Sequence, residues 1–357
     1  LRSHELRVDA TPPPEWGDRF TLSGRFTQPL FTRAGDWRRW NGSGYVALPR
    51  ADVRELRRYV SLPFELSEGA GALRGWFDVR AGEPVGATVD LALREVALRL
   101  AGDVQPLVFD ELQGRVIAQR GSDGMSIAAQ RLTFLTGDQI RWPEGDVRLV
   151  LRQREGQPPT GGELSAQRLD IGVMAEIAAR VPLGEPLRKL LAELDPKGVV
   201  TDLGARWDGP ADAPTHYRAK GTLSGLSLAS HAAVDPAMPG RPGIHNASIK
   251  LDASEQGGTA ELTIASGAID LPGVFDEPML PLDRLDAQLQ WKIEASRTAG
   301  QPPAITLQVK RAEFSNPDAK GELSATWSTG AGSAPSGRGA RLPGRLDLDG
   351  RLSGGRA

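Results

Sequence analysis

A chain of 357 residues without a single cysteine can carry neither a disulfide framework nor a thiolate metal site. Its 43 Lys and Arg against 45 Asp and Glu supply no electrostatic reason to bind nucleic acid, or to adhere to anionic lipid by overall charge. Hydrophobic residues make up 39% and aromatics 6%, thin for a thick globular core, while 42 Gly and 27 Pro suit many short strands joined by turns.

Taken in order, the first strands predicted are Glu5 to Ala10 and Arg19 to Thr27, separated by Pro12-Pro13-Pro14. Tyr45 to Leu48 reads as a third, ended by Pro49. Asp52 then caps a short helix over 52–61, in which Val53, Leu56, Tyr59 and Val60 fall at helical spacing and Pro63 stops the run. Gly69 to Gly75 reads as a turn between strands. From Leu73 the period becomes two, with Val89, Leu91 and Leu93 on one side. After Arg94-Glu95 the alternation resumes one residue out of phase at Val96, Leu98 and Leu100, which predicts a bulge or turn there.

Further strands are predicted at Gln113 to Gln119, Met125 to Phe134, Asp146 to Gln153 and Gly162 to Leu169. Asp170 caps a second helical region in which Ile171, Met174, Ile177, Ala178 and Val181 share a face. Leu187, Leu190, Leu191 and Leu194 follow as another short amphipathic helix. Strands then continue to the end, interrupted by a Gly/Ser-rich loop from Gly330 to Gly339.

A loose repeat organises the strands: a strand, a loop containing proline, then two strands. Its copies are Val96 to Phe134 through Leu107–Leu112, Leu223 to Ile269 through Pro242-Gly243-Ile244, and Ala268 to Phe314 through Pro281–Leu285. Such repetition argues for a sheet growing in one direction. Ile249/Leu251, Leu262/Ile264, Leu289/Trp291/Ile293 and Ile305/Leu307/Val309 each alternate with polar residues, so one face is apolar and the other wet. That face could be closed by a second sheet in a sandwich or barrel, or left open as a trough. In a trough, Val89, Leu91, Leu93, Ile249, Leu251, Ile264, Leu289, Ile293, Leu307 and Val309 are the candidate lining.

Catalytic signatures are weak. Gly69–Gly75 resembles a dinucleotide fingerprint with its last spacing one too long, and no helix-forming stretch follows. The four histidines, His4, His216, His231 and His245, lack ligand spacing. Asp276-Glu277 and Asp347/Asp349 could serve a glycosidase, but loop and strand-face charge explains them. Trp37, Trp40, Tyr45, Trp76 and Phe77 concentrate aromatics; they read as a plug at one end of the sheet, with a carbohydrate platform as the other reading. No cofactor and no metal are expected.

Trp37-Arg38-Arg39-Trp40, Gly44-Tyr45-Val46-Ala47-Leu48-Pro49-Arg50 and Gly71–Val79 resemble the YhdP-type branch of the AsmA-like proteins. So do Leu271–Pro278, Pro281–Leu285 and Asn316–Gly321, and together these stretches span nearly the whole chain. The resemblance implies a mainly β fold: an elongated, curled antiparallel β-sheet forming a groove, with a few short amphipathic helices. It also implies a non-enzymatic role, carrying phospholipid acyl chains between the inner and outer membranes of a Gram-negative bacterium. Implied partners are the phospholipid, the inner membrane through an anchor, and outer-membrane or periplasmic proteins. Both ends of the chain read as cut, so the expectation is an internal fragment with two groove segments, 1–160 and 161–357. The rival expectation is a structural or adhesive β-sandwich array that binds protein or glycan.

Overall fold

In the computed structural model, the described residues are 1–14, 17–33, 35–52, 65–154, 157–181, 183–233, 240–295, 303–329 and 344–353. The helix expected over 52–61 falls almost wholly outside them, as does the Gly/Ser-rich loop of 330–339. The chain divides into two compact units, Leu1–Arg188 with Gly209–Ala213, and Lys189–Asp208 with Pro214–Ala357.

Among the described residues, the first unit is an antiparallel meander of nine strands. These are β1 (Arg2–Ala10), β2 (Phe20–Gln28), β3 (Asn41–Asp52), β4 (Glu65–Arg80), β5 (Glu83–Arg99), β6 (Leu107–Gly121), β7 (Gly124–Thr136), β8 (Arg141–Arg152) and β9 (Gly161–Asp170). The second is a meander of eight: β10 (Lys197–Asp208), β11 (His216–Leu228), β12 (Gly243–Ser254), β13 (Gly257–Asp270), β14 (Met279–Glu294), β15 (Ala304–Ser315), β16 (Lys320–Ser328) and β17 (Arg345–Ser353). Within each unit every strand pairs antiparallel with its sequence neighbours. Among the described residues neither meander closes on itself: β1 is not paired with β9, nor β10 with β17. The fold is therefore mainly β, open and antiparallel.

The slip predicted at Arg94-Glu95 is present, and it is one of a row. Glu95 takes a left-handed φ of 53°, and Leu93 and Val96 on either side of the slip are both buried. The same three-residue step separates Ala129 from Leu132, Leu223 from Leu226, Ile244 from Ala247, Leu282 from Leu285 and Val309 from Ala312. Arg131, Asn246 and Ser266 sit at such steps with φ of 48°, 56° and 55°. Each step directs two consecutive residues outward and returns the apolar set to its own face. A bulge also bends its strand, so each sheet bends where its bulges line up.

Four local expectations change. β3 runs through Pro49, because the ladder with β4 is interrupted between Leu48 and Ala51, where no proline N–H is needed. Leu107–Leu112 belongs to β6 and not to a loop; Asp110-Glu111 is its outward pair. Pro281–Leu285 lies inside β14, with Pro281 paired to Ala268 on one side and beyond the β15 ladder, which starts at Arg284, on the other. Gly69–Gly75 lies within β4. Gly71 adopts φ 149°, and a Cβ there would stand 2.2 Å from the Ala92 carbonyl oxygen, so only glycine lets this strand continue.

The core of the first unit lies beyond its line of bulges. Leu93, Val96, Leu107, Phe109, Phe134, Trp142 and Ile177 form one buried cluster. Phe109 meets Phe134 edge-on at 5.1 Å, and Trp142 stacks on Phe134 at 5.6 Å. Ile177 comes from the helical region that covers this end. Helix α1 (Ile171–Glu176) starts where Asp170 Oδ1 accepts from the Gly172 and Val173 amides at 3.0 and 3.1 Å. That is the cap expected from the sequence. A second helix, α2 (Glu185–Leu194), leaves Leu187 and Leu190 exposed.

Arg180 fastens the helical cover to the sheet, donating to both Asp138 carboxylate oxygens at 3.2 and 2.6 Å. These bonds, and then the Thr136 hydroxyl, hold the Asp138 carboxyl well below its ordinary value. A lowered folded-state value means the pair stabilises above the ordinary carboxylate range near ~4, and that this is lost as pH falls below it. Asp138→Asn should therefore lower the melting temperature at neutral pH, and the gap to the parent should close in acid. A gap that stays constant down to strongly acid pH would contradict this.

Candidate functional site: an apolar sheet face

Strand pairing assigns every side chain to a face. In the first unit Leu22 opposes Val46, Leu48 opposes Leu73, and Leu73 opposes Leu91. Val89 opposes Val116, Ala129 opposes Val147, and Leu149 opposes Leu164. These rows form one face, uncharged across its middle. Val89, Leu91 and Leu93 stand together on it. In the second unit Leu223 opposes Ile249, Leu251 opposes Ala260, and Ile264 opposes Leu285. Leu289 opposes Val309, Ile293 opposes Ile305, and Leu307 lies between Trp291 and Trp327. The seven remaining candidates therefore share the apolar face of that unit.

They differ in cover. Leu93 and Ile264 are 5% and 1% exposed and belong to packed ends, Ile264 between Ala247 and Leu285. The other eight are only half-buried. Toward the β17 edge the face opens further: Leu346, Leu348 and Leu352 are 60%, 62% and 75% exposed. Among the described residues the strands of each unit form a single sheet, so no second sheet of that unit closes the face.

The surface of this face is built in part from rings laid over glycines. A Cβ on Gly44 would stand 2.1 Å from Phe77 Cζ, directly across the β3–β4 pair. Gly258 holds Trp291 in the same way and Gly321 holds Phe314, with virtual Cβ distances of 2.6 and 2.7 Å. Sequence reasoning missed these pairs because a glycine and its ring meet only once the register is known. Gly44→Val should displace the Phe77 ring and cost about 1–3 kcal/mol by overpacking. Ser43→Val, one residue along on the other face, should stay within about 0.5 kcal/mol. Urea unfolding midpoints would check both, and equal effects would refute the ring-on-glycine packing.

The opposite face is polar and ion-paired. Arg115 donates to Asp90 at 2.6 and 3.0 Å, and this bond chiefly lowers the Asp90 carboxyl. Arg218 holds Asp252 at 3.0 and 2.7 Å with the same effect. Arg25 pairs with Glu5 at 2.9 Å, and Arg311 with Glu313. Such exposed pairs stabilise little, but they make this face hostile to hydrocarbon. Shallow depressions of about 440 to 630 Å³ open on it, and the one of about 630 Å³ is lined by Lys220, Lys250, Glu261 and Lys310.

The aromatic concentration near the start of the chain is divided by strand parity. Trp40 stacks on His4 at 4.7 Å and lies 5.5 Å from Phe26, forming a plug at one end of the first sheet. Phe77 lies on the apolar face. Tyr45 and Trp76 meet at 5.3 Å on the polar face, where the Arg115 guanidinium lies 5.9 Å from the Trp76 ring. Trp37 is exposed. The single plug read from sequence thus keeps only Trp40 of the five.

Among the described residues, no helix is long and apolar enough to cross a membrane, and no group of three or more His, Cys, Asp or Glu could hold a metal ion. A family model described as YhdP protein matches the chain over residues 1–357. No curated protein and no solved structure matches it.

Proposed function

Because the chain belongs to the YhdP family, we propose that its apolar faces carry phospholipid acyl chains between the inner and outer membranes and so support the outer-membrane barrier. Membership makes this a cell-envelope protein of a lipid-transport type of family; the phospholipid cargo and the two membranes are the proposal. One observation carries it. Val89, Leu91, Ile249, Leu251, Leu289, Ile293, Leu307 and Val309 lie on uncharged faces yet are only partly buried. An open apolar surface of this extent costs free energy in water unless something covers it.

A lipid tail is a fitting cover. Each methylene moved from water onto such a surface gains about 0.8 kcal/mol, so the tail regains on the protein much of what it loses on leaving a bilayer. The polar face keeps the opposite side of each sheet in water. The array reading, a β-sandwich that binds protein or glycan, needs the apolar face closed by a second sheet.

Site-specific photocrosslinking in cells tests this. A photoreactive side chain at Leu251 or Leu307 should capture phospholipid, and one at Lys250 or Gln308 should not. Capture at neither parity, or equally at both, would refute the assignment.

A further inference from the structure

The described residues of the β2–β3 connection, 29–33 and 35–40, have no place in the acyl-chain surface, yet they are held by specific hydrogen bonds. Its base is rigid. Gln28 is fully buried; its side-chain amide donates to Thr32 Oγ1 at 2.6 Å and to the Arg33 carbonyl at 3.0 Å. The Trp40 indole donates to Gln28 Oε1 at 3.0 Å, and the Thr32 hydroxyl donates to the Pro29 carbonyl at 2.7 Å. A short 3-10 turn, Trp37–Arg39, completes the loop, with the Gly82 amide of the neighbouring hairpin bonded to the Trp40 carbonyl at 2.9 Å.

This rigid base presents an apolar tip to solvent. Phe31 is wholly exposed and Leu30 and Trp37 are each 57% exposed. Around them stand Arg33, Arg38 and Arg39 with one acidic residue, Asp36, which lies 3.6 Å from Arg39. The Arg38 guanidinium lies 5.4 Å from the Trp37 ring. A chain whose overall charge is near zero therefore concentrates a net positive charge beside three exposed large apolar side chains.

We propose that this loop docks on the surface of an anionic phospholipid bilayer. Trp and Phe would enter the headgroup region, where amphipathic aromatic rings are favoured. The arginines would meet lipid phosphates with bidentate hydrogen bonds. The two contributions reinforce each other, since neither one apolar anchor nor a few charges alone holds a protein to a membrane. The proposal is independent of the acyl-chain reading, because the loop makes its contact outside the apolar faces.

Flotation of the 357-residue chain with vesicles tests it, using phosphatidylcholine with and without phosphatidylglycerol. The parent should float with the anionic vesicles and do so less at high salt. Phe31→Ser with Trp37→Ser should weaken binding by roughly tenfold or more. Each Arg→Gln change at Arg33, Arg38 or Arg39 should cost about fivefold on anionic vesicles and much less on neutral ones. All these side chains are exposed, so unchanged circular dichroism and melting are expected. Gln308→Ser, on the polar face, should float like the parent. A parent that stays with the soluble fraction would overturn the proposal, as would a Phe31/Trp37 variant that floats undiminished. Loss of flotation in Leu251→Asp alone would do the same, by locating the contact on the apolar face.

Discussion

Leu251→Asp should strip the chain of bound phospholipid by at least about tenfold, while Lys250→Asp leaves the lipid in place. Leu251 projects from β12 between Gly221 and Ala260, with Leu223, Ile249 and Leu289 on the same uncharged face. A tail lying there would have to cover an unpaired carboxylate, at a cost of several kcal/mol, and each 1.4 kcal/mol is a factor of ten. Lys250 faces the ion-paired side and already stands in water. Leu307→Asp and Gln308→Asp repeat the contrast on β15. Phospholipid extracted per purified chain is the readout. Equal losses at both parities would end the assignment of faces.

Trp142→Ala should cost about 3–5 kcal/mol, the usual range for truncating a large buried aromatic side chain. Trp142 is 6% exposed, stacks on Phe134 and belongs to the cluster that Ile177 joins from the helical cover. Its loss leaves a cavity where the sheet and its cover meet. Trp76→Ala provides the contrast. That side chain lies on the polar face against Tyr45 and Arg115, and its removal should cost no more than about 1 kcal/mol. Urea midpoints would show the difference, and a Trp76 effect as large as that of Trp142 would mean the packed end has been misplaced.

How far the fold was legible depended on whether a feature is local along the chain. Alternation at Val89, Leu91 and Leu93, and its slip at Arg94-Glu95, needs one strand only, and it was read correctly. The same slip at Leu282/Leu285 and Val309/Ala312 is equally visible in sequence. At Leu282/Leu285 the neighbouring Pro281 and the paired charges suggested a loop, whereas a proline outside one ladder costs a strand nothing. Asp170 was legible as a cap because its partners, the Gly172 and Val173 amides, lie two and three residues away.

The candidate site was legible in parity and illegible in depth. All ten lining candidates fall on the apolar faces, since a period of two decides a face as soon as one pair is known. Burial depends on what comes from elsewhere. Nothing near Leu93 in sequence announces that Ile177 will join its cluster, and nothing near Ile264 announces Ala247 and Leu285. The aromatic group failed for a related reason. Tyr45 and Trp76 share a strand pair with Gly44 and Phe77 but point the opposite way, so closeness in sequence was mistaken for closeness in space.

The most direct test of the acyl-chain surface is native mass spectrometry with lipid extraction on the chain purified from a Gram-negative periplasm. The account predicts phospholipid in stoichiometric amounts, lost from Leu251→Asp and retained by Lys250→Asp. A stable, lipid-free parent chain would contradict it, since the partly buried apolar faces would then need no lipid to cover them.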